Sequence, residues 1–443
     1  MSHTHLILRL LLLPAMATSA TAQQLKAITG VTVIDGTNRS PIRDAVVIIE
    51  SNRIKQVGSR SRTTVPVNAE VIDGTGKFLI PGLTDMHNHV LTGTTRWPQD
   101  RKVNLRLLLA YGVTTVFNPT LPIAEHKALK AATAQAEGPY ARFYSTGPSI
   151  SVKGDDFAAF NGSPTPETEE EAIKAVRGLK AAGVDAIKVV NDDLSWCKNT
   201  RAPLMRREVL IAVVSEAHKL GLKVYAHAPV LSLAKEFLKA GGDGLLHGII
   251  DEPVDQEFIR LMKRNNAFYV ATLSMFEDVA DVSGWMRRQA EFDERKLFPQ
   301  AVYDAFTNPA SPRYFKSPLN NTARTRELLP TLRANLKKVS DAGIPIVAGT
   351  DAGYFGVLLG ISSQLELTLM VESGLKPEEA IRAATITPAR VLGTAKDSGS
   401  VEAGKFADMV ILDRNPLSDI GNLRYVHRVI KAGVVYNPSE LIR

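Results

Sequence analysis

Short apolar runs alternate with longer helical stretches between residues 78 and 395, and no other feature of the 443-residue chain limits its fold as strongly. Eight strand-like runs separated by helices predict a parallel α/β fold. Eight such units within roughly 300 residues predict a closed (β/α)₈ TIM-type barrel. The predicted strands are 78–84, 113–118, 141–146, 186–190, 223–226, 244–246, 268–272 and 345–348.

Both ends of the chain carry a different pattern, in which short β-branched runs are separated by turn residues. These runs fall within residues 25–71 and 399–436, so we expect the two ends to meet in one small domain. The predicted organisation is a composite β-sandwich domain (23–77 and 398–443) beside the barrel (78–397). We expect the long stretch 273–318 to be irregular and to cover the barrel mouth, where loops carry function.

The first 22 residues have the pattern of a secretory signal peptide. A mostly apolar segment at 6–17 precedes Ala20, Thr21 and Ala22, which place small residues at a cleavage site. The apolar run is too short to cross a bilayer, and Pro14 interrupts it. We therefore expect an exported protein, periplasmic or secreted, with no stable membrane span.

The formal charge of +7 suggests contact with nucleic acid or membranes, but the distribution of basic residues does not support it. The chain has no dense basic run and no interleaving of aromatic and basic residues. We expect a small-molecule substrate and no nucleic-acid partner, and the sequence leaves a homo-oligomer open. Cys197 is the single cysteine, so no disulfide within the chain supports the core.

Two histidines directly follow the first predicted strand. Side chains alternate along an extended segment, so His87 and His89 point the same way and two imidazoles can hold one metal ion. The carboxyl ends of barrel strands form the active-site face of this fold. Four further polar residues lie at or near strand ends of the same face: Lys188, His227, His247 and Asp351.

Each of these residues also has a purely structural interpretation. Lys188 lies within a β-branched strand, where burial of an ammonium is costly unless its amine reaches the barrel rim or serves a function. Its amine, once carboxylated by carbon dioxide, would be an anionic ligand that bridges two metals. Asp351 fits either a helix cap or a metal ligand and general base. The gathering of all six residues on one face favours a metal site.

An ordered set of motifs resembles the amidohydrolase superfamily, in its imidazolonepropionase-like and prolidase-like branch. The resemblance runs from about residue 25 to the C-terminus. It implies the barrel and the terminal β-sandwich that the pattern also predicts. The motifs are FLIPGLTDMHNH (78–89), GVDAIKVV (183–190), AHA (226–228), AGGDGLLHG (240–248), GTD (349–351), AATITPARVLG (383–393) and GSVEAGKFADMVIL (399–412).

The resemblance implies a role for each candidate ligand. His87 and His89 resemble the ligands of the more buried of two divalent metals, a site completed by Asp351. His227 and His247 resemble the ligands of the second metal. Lys188, carboxylated on its Nζ (N6-carboxylation), resembles the bridge between them. Zinc is the metal expected at such a site, where it lowers the pKa of a bound water to about 7.

The predicted activity is hydrolysis of an amide or similar carbon–nitrogen bond, in a dipeptide or an N-acyl amino acid. Asp351 would accept the water's proton and pass it to the leaving nitrogen. Tyr225 and Arg142 are candidate substrate contacts. The region 149–162 lacks the Gly-Gly-His element of many relatives, and residues 355–364 lack a second histidine, so the substrate is not predicted.

Two alternatives remain open. One is an imidazolonepropionase-like hydrolase or deaminase with one metal and a cyclic amide substrate, in which Lys188 stays uncarboxylated. The other is a non-catalytic protein that keeps the fold for binding, although such a relative would be expected to have lost ligands.

Export gives the first testable prediction. Mass spectrometry of the protein from its native host should show a mature chain that begins near Gln23, because cleavage is expected after Ala22. An intact chain that begins at Met1 and stays in the cytosol would contradict export.

Overall fold

The computed structural model describes residues 25–91, 100–155, 162–308, 310 and 322–442, so the predicted signal peptide lies outside the described residues. The strands are β1 (Leu25–Val33), β2 (Ile42–Glu50), β3 (Arg53–Ser59), β4 (Glu70–Asp73), β5 (Phe78–Pro81), β6 (Leu83–Asp85), β7 (Val113–Asn118), β8 (Arg142–Ser145), β9 (Ile187–Val190), β10 (Val224–His227), β11 (Gly244–Leu245), β12 (Phe268–Val270), β13 (Ile346–Val347), β14 (Met409–Leu412), β15 (Val426–Lys431) and β16 (Val434–Tyr436). The helices are α1 (Arg101–Ala110), α2 (Ile123–Ala132), α3 (Glu169–Ala181), α4 (Arg207–Lys219), α5 (Leu231–Lys239), α6 (Gln256–Arg264), α7 (Leu273–Ala280), α8 (Val282–Phe292), α9 (Gln300–Thr307), α10 (Thr322–Asp341), α11 (Ile361–Glu372), α12 (Pro377–Ala383) and α13 (Ile386–Val391), with short 3₁₀ turns at Ile420–Arg424 and Pro438–Glu440.

Strands from both ends of the chain form one eight-stranded sheet, called the terminal sheet below. Its order is β16-β15-β14-β5-β1-β2-β3, and β4 pairs with β1. The two ends meet where β14 runs antiparallel to β5. The predicted sandwich of two sheets is not confirmed, because the hydrogen-bonded ladders join all eight described strands into a single sheet. The predicted domain boundaries remain a prediction.

The middle of the chain forms two parallel sheets with helices between successive strands. One sheet has the order β6-β7-β8 and the other β13-β12-β11-β10-β9. All eight predicted strands are observed, although their ladders do not form one closed barrel. Isolated parallel bridges, Ile150 with Val189 and Asn88 with Ala352, lie between the two sheets. The mixed α/β fold is therefore established, and the strand ends that carry the candidate ligands face the same edge.

The first predicted strand, 78–84, is divided between two sheets. Residues before Gly82 pair with the terminal sheet as β5, and residues after it pair with β7 as β6. A Cβ atom on Gly82 would lie 2.1 Å from Thr114 Oγ1, so only glycine fits where the chain crosses. Gly82 therefore joins the terminal sheet to the strand that carries His87 and His89.

The segment 273–318 is not irregular in its described part, which corrects the expectation for this region. It folds into α7, α8 and α9, which bury Phe276, Trp285, Met286 and Phe306. These apolar side chains pack into the main core, and their burial stabilises helices that local sequence alone did not suggest. Within the residues that the structure describes, no helix has the length and apolar character needed to cross a membrane.

Candidate metal centre

The six candidate ligands come from five of the eight parallel strands of the two sheets, within the strand or just after its carboxyl end. His87 and His89 follow β6, His227 ends β10, and His247 follows β11. Lys188 lies within β9, and Asp351 follows β13. Five of the six are buried, and His89 keeps 20% of its side chain exposed. Buried polar side chains need hydrogen-bond or metal partners, so the contacts of these six residues indicate what the site can bind.

The imidazoles and the carboxylate are in close contact. The ring centroids of His87 and His247 are 4.6 Å apart, and those of His227 and His247 are 4.2 Å apart. Asp351 Oδ1 lies 3.2 Å from His87 Nε2 and 2.7 Å from His89 Nε2. The structure thus brings four histidines and the aspartate into one cluster.

Three buried atoms of this cluster lack a hydrogen-bond partner in the described part of the chain: His87 Nε2, His247 Nε2 and Asp351 Oδ1. Their short contacts therefore do not have hydrogen-bond geometry. Potential ligand atoms of the same three residues all lie within 4.8 Å of one another. Converging, unpaired nitrogen and oxygen lone pairs are what a divalent cation such as zinc needs, so the residues present fit a metal ion.

The partners of the other ring nitrogens orient two of these lone pairs. His87 Nδ1 donates to the Leu246 carbonyl at 2.9 Å. His247 Nδ1 lies 2.8 Å from the Thr272 hydroxyl, which itself donates to the Ala271 carbonyl at 2.8 Å. Because that hydroxyl proton is already used, Thr272 must accept the proton of His247 Nδ1. Both rings therefore turn an unprotonated Nε2 towards the cluster.

His227 is oriented by a carboxylate that the sequence analysis did not single out. Its Nε2 lies 2.9 Å from Asp192 Oδ2, which also accepts a hydrogen bond of 3.0 Å from Trp196 Nε1. A proton on Nε2 leaves Nδ1 of His227 as the nitrogen that can bind a metal. The sequence did contain a signal for Asp192. It lies four residues after Lys188, and side chains alternate along a strand, so both are expected on the same face of β9 and its extension.

Lys188 is a buried amine beside this cluster. No described carboxylate lies within ion-pairing distance of its Nζ, and only 3% of the residue is exposed. Burial lowers the pKa of Lys188 to about 8, and the charge of Asp351 opposes that shift. A much larger fraction of the amine than in an ordinary lysine is therefore neutral near neutral pH, and the neutral amine is the nucleophilic form.

The protonation states of the cluster suit metal binding. Burial lowers the pKa of His87 to about 4 and holds that of His247 well below its ordinary value. Burial would raise the pKa of Asp351, but the neighbouring imidazoles of His87 and His89 outweigh it and hold the pKa well below its ordinary value. At neutral pH His87 and His247 are therefore neutral imidazoles and Asp351 is an ionised carboxylate.

Four described non-glycine residues in or beside the cluster have left-handed backbone. Asp351 has φ +62°, and Thr272, which holds His247, has φ +48°. Val90 directly follows His89 with φ +53°, and this conformation is rare for a β-branched residue. Leu194, near Asp192, has φ +59°. Strain of this kind persists where the surrounding structure fixes the backbone, and it is enriched at functional sites.

The structure places the two candidate substrate contacts outside this cluster, and their role in substrate binding stays a prediction. The Tyr225 ring packs against Phe117 and Phe268, with centroid distances of 5.6 and 4.8 Å, in a buried apolar cluster. Arg142 Nε binds Asp408 Oδ2 at 2.8 Å, at the junction with the terminal sheet. Tyr225 is on the same face of β10 as His227 but two residues further from the carboxyl end of the strand. Arg142 is at the amino end of β8, away from the edge that carries the ligands.

Comparison with known proteins gives the family. The amidohydrolase family profile matches residues 78–436. The chain belongs to the amidohydrolase family. This confirms the resemblance seen in the sequence, and the protein is a hydrolase that acts on carbon–nitrogen bonds.

Individual relatives cover most of the chain. A solved Xaa-Pro dipeptidase with methionine in its active site matches with a TM-score of 0.75 and 25% identity, over 94% of this chain and 100% of that one. A dihydroorotase from Pelobacter propionicus is 24% identical over 83% of this chain and 85% of its own length. An imidazolonepropionase from Alkaliphilus metalliredigens is 24% identical over 88% of this chain and 90% of its own length.

The contact between Asp192 and His227 gives the second prediction. Asp192→Ala should weaken the affinity for zinc by about 10- to 100-fold, because His227 loses the acceptor that fixes its ring. Competition with a chelator of known affinity measures this change. Trp196→Phe is the matched control, since it removes one hydrogen bond to Asp192 but leaves His227 paired. Equal affinities of wild type and Asp192→Ala would show that Asp192 does not position His227.

Proposed function

We propose that this protein hydrolyses an amide or peptide-like carbon–nitrogen bond with the help of two divalent metal ions, zinc by the chemistry of the ligands. The observation that carries the proposal is the convergence of unpaired buried lone pairs from His87, His247 and Asp351. His89, His227 and Lys188 complete the proposed ligand set. Neutral imidazoles and carboxylates are the ligands of catalytic zinc sites.

The proposal includes two features of the protein as a whole. The two parallel sheets would together correspond to the closed (β/α)₈ barrel of the family, since isolated bridges lie between them on both sides. Export to the periplasm or the medium is also part of the proposal, and it is tested by the mature N-terminus.

When bound, the metals would polarise the substrate carbonyl and lower the pKa of water, as divalent cations do in hydrolases. Asp351 is the residue placed to receive a proton, because its carboxylate is ionised and contacts two imidazoles. It would pass that proton to the leaving nitrogen. Leu246, Thr272 and Asp192 keep the histidine protons away from the ligand nitrogens.

The proposed substrate is a small molecule, either a dipeptide or an N-acyl amino acid. Relatives named as a Xaa-Pro dipeptidase and as a dihydroorotase support an amide bond, linear or cyclic.

A one-metal hydrolase or deaminase is the second candidate. It is favoured by the observation that His87, His247 and Asp351 by themselves offer three converging ligand atoms. Three protein ligands and one open position make a complete catalytic zinc site. In that case Lys188 would remain an uncarboxylated amine.

The third prediction tests the role of Asp351. The zinc-loaded protein should hydrolyse a member of a panel of N-acyl amino acids, dipeptides and cyclic amides, and chelation should abolish this activity. Asp351→Asn keeps the size and a coordinating oxygen but removes the base, so the rate should fall by roughly 10²–10⁴-fold. Metal content and circular dichroism, measured on the same sample, separate loss of the base from loss of the metal or the fold. Near-normal turnover of Asp351→Asn would show that Asp351 is not the base.

The fourth prediction separates two metals from one. The neutral amine of Lys188 would add to carbon dioxide and lose a proton, which gives an anionic carbamate with two oxygens. Lys188→Ala should therefore lose one metal, by elemental analysis, and most of the activity. Acetate or propionate added with zinc should partly restore both, because a short carboxylate fits the space left by the side chain. Lys188→Arg should not be rescued.

Lys431 provides the matched control. It is also buried, and burial lowers its pKa to about 8, but its Nζ donates to the Ala136 carbonyl at 2.9 Å beside the terminal sheet. Lys431→Ala should keep the full metal content and show no response to acetate. A Lys188→Ala protein with unchanged metal content and rate would exclude the bridge and favour the one-metal candidate.

A further inference from the structure

Asp278 is a buried carboxyl group that the proposed mechanism does not use. It lies on α7, and only 1% of the residue is exposed. Its Oδ2 accepts a long hydrogen bond of 3.3 Å from the Gly356 backbone N–H. Its Oδ1 has no hydrogen-bond partner in the part of the chain that the structure describes. Buried polar atoms are nearly always paired, so an unpaired carboxyl oxygen calls for a ligand.

Tyr354 supplies a second unpaired oxygen close to Asp278. Its hydroxyl is buried and, among the described residues, has no hydrogen-bond partner. The charge of Asp278 raises the pKa of Tyr354, in addition to the larger effect of burial, so the two groups interact. The Tyr354 backbone N–H donates to the Asp351 carbonyl at 3.0 Å, which fixes the residue just beyond the candidate metal ligand.

This pair adjoins the metal centre from two sides. Helix α7 starts directly after Thr272, which holds His247, and the ring of Phe276 lies 6.2 Å from the His247 ring. The hydrogen bond from Gly356 ties Asp278 to the loop that follows Asp351. A Cβ atom on Gly356 would lie 2.2 Å from Asp278 Oδ1, so only glycine lets the loop approach the carboxyl group this closely.

Among the described residues, Asp278 has no positively charged partner. No lysine, arginine or histidine of the described chain forms an ion pair with it, and the charges that act on it are those of Asp281 and Asp351. Burial, and then these negative charges, raise the pKa of Asp278 well above its ordinary value. A buried carboxylate needs a cation or several donors to offset its desolvation. A protonated amine supplies both, since an ammonium carries three donors.

We propose that Asp278 and Tyr354 bind the protonated amino group of the substrate, so the enzyme prefers an unblocked aminoacyl group over an N-blocked or deaminated one. This inference rests on the proposed hydrolysis at the adjacent metal centre. It narrows the substrate class to amides with a free amine in the acyl part, such as dipeptides, and disfavours N-acyl amino acids. Asp278 would act as a specificity-determining residue, with no part in activating water.

A matched pair of ligands tests the proposal by binding alone. L-norleucine hydroxamate and hexanohydroxamate share one carbon chain and one zinc-binding group, and they differ only in the α-amine. Titration calorimetry of the zinc-loaded protein should give about 10- to 100-fold tighter binding of the amine-bearing compound, the range of a charge-assisted hydrogen bond. Asp278→Asn should remove this preference and leave the affinity for hexanohydroxamate nearly unchanged. Tyr354→Phe should reduce the preference by a smaller factor.

Asp281→Asn is the control, because it removes a negative charge three residues away and keeps a side chain that caps α8. It should retain the preference for the amine. Equal affinities of the two hydroxamates for the wild type, or an equal loss of both in Asp278→Asn, would overturn the subsite but leave the metal centre intact. Failure of both compounds to bind the zinc-loaded wild type would contradict the metal centre and the subsite together.

Discussion

The geometry of the metal centre depends on one buried carboxylate, Asp85. It accepts hydrogen bonds from the Asn88 side chain at 3.0 Å and from the hydroxyls of Thr350 and Ser363, each at 2.8 Å. These partners belong to the segment after β6, the segment after β13 and helix α11. Asp85 therefore fixes the backbone next to His87 and next to Asp351 at the same time. Burial raises the pKa of Asp85, and its hydrogen-bond donors oppose this shift because they stabilise the ionised carboxylate.

A cluster of four histidines becomes a metal site only if their ring protons point away from its centre. Three different acceptors achieve this: the Leu246 carbonyl, the Thr272 hydroxyl and the Asp192 carboxylate. Substitution of a side chain cannot remove the Leu246 carbonyl, whereas substitution of Thr272 or Asp192 removes the acceptor. Thr272 and Leu194 also adopt left-handed backbone, so part of the strain around the site comes from bringing these acceptors to the rings.

The sequence allowed prediction of the strands and of the candidate ligands, since both depend on local pattern. A buried parallel strand is an apolar run, and a polar residue at its carboxyl end stands out, as His247 and Asp351 do. The break at Gly82 was not predictable, because it depends on the close approach of Thr114. The positions of Tyr225 and Arg142 outside the cluster were not predictable, because period-two alternation gives the face of a strand but not the depth along it.

Helix α7 is not capped by its own N-cap residue, and a residue distant in the sequence supplies the cap instead. Thr272 stands at the N-cap position, where its hydroxyl would normally cap the helix, but it makes no capping hydrogen bond because the hydroxyl already serves His247. Glu366, far along the chain on α11, accepts instead from the backbone N–H groups of Leu273 and Ser274, at 2.8 and 2.7 Å. Burial raises the pKa of Glu366 to about 7, although these donors oppose the shift. Glu366 thus takes over the cap from Thr272, and it thereby also fixes the start of the helix that carries Asp278.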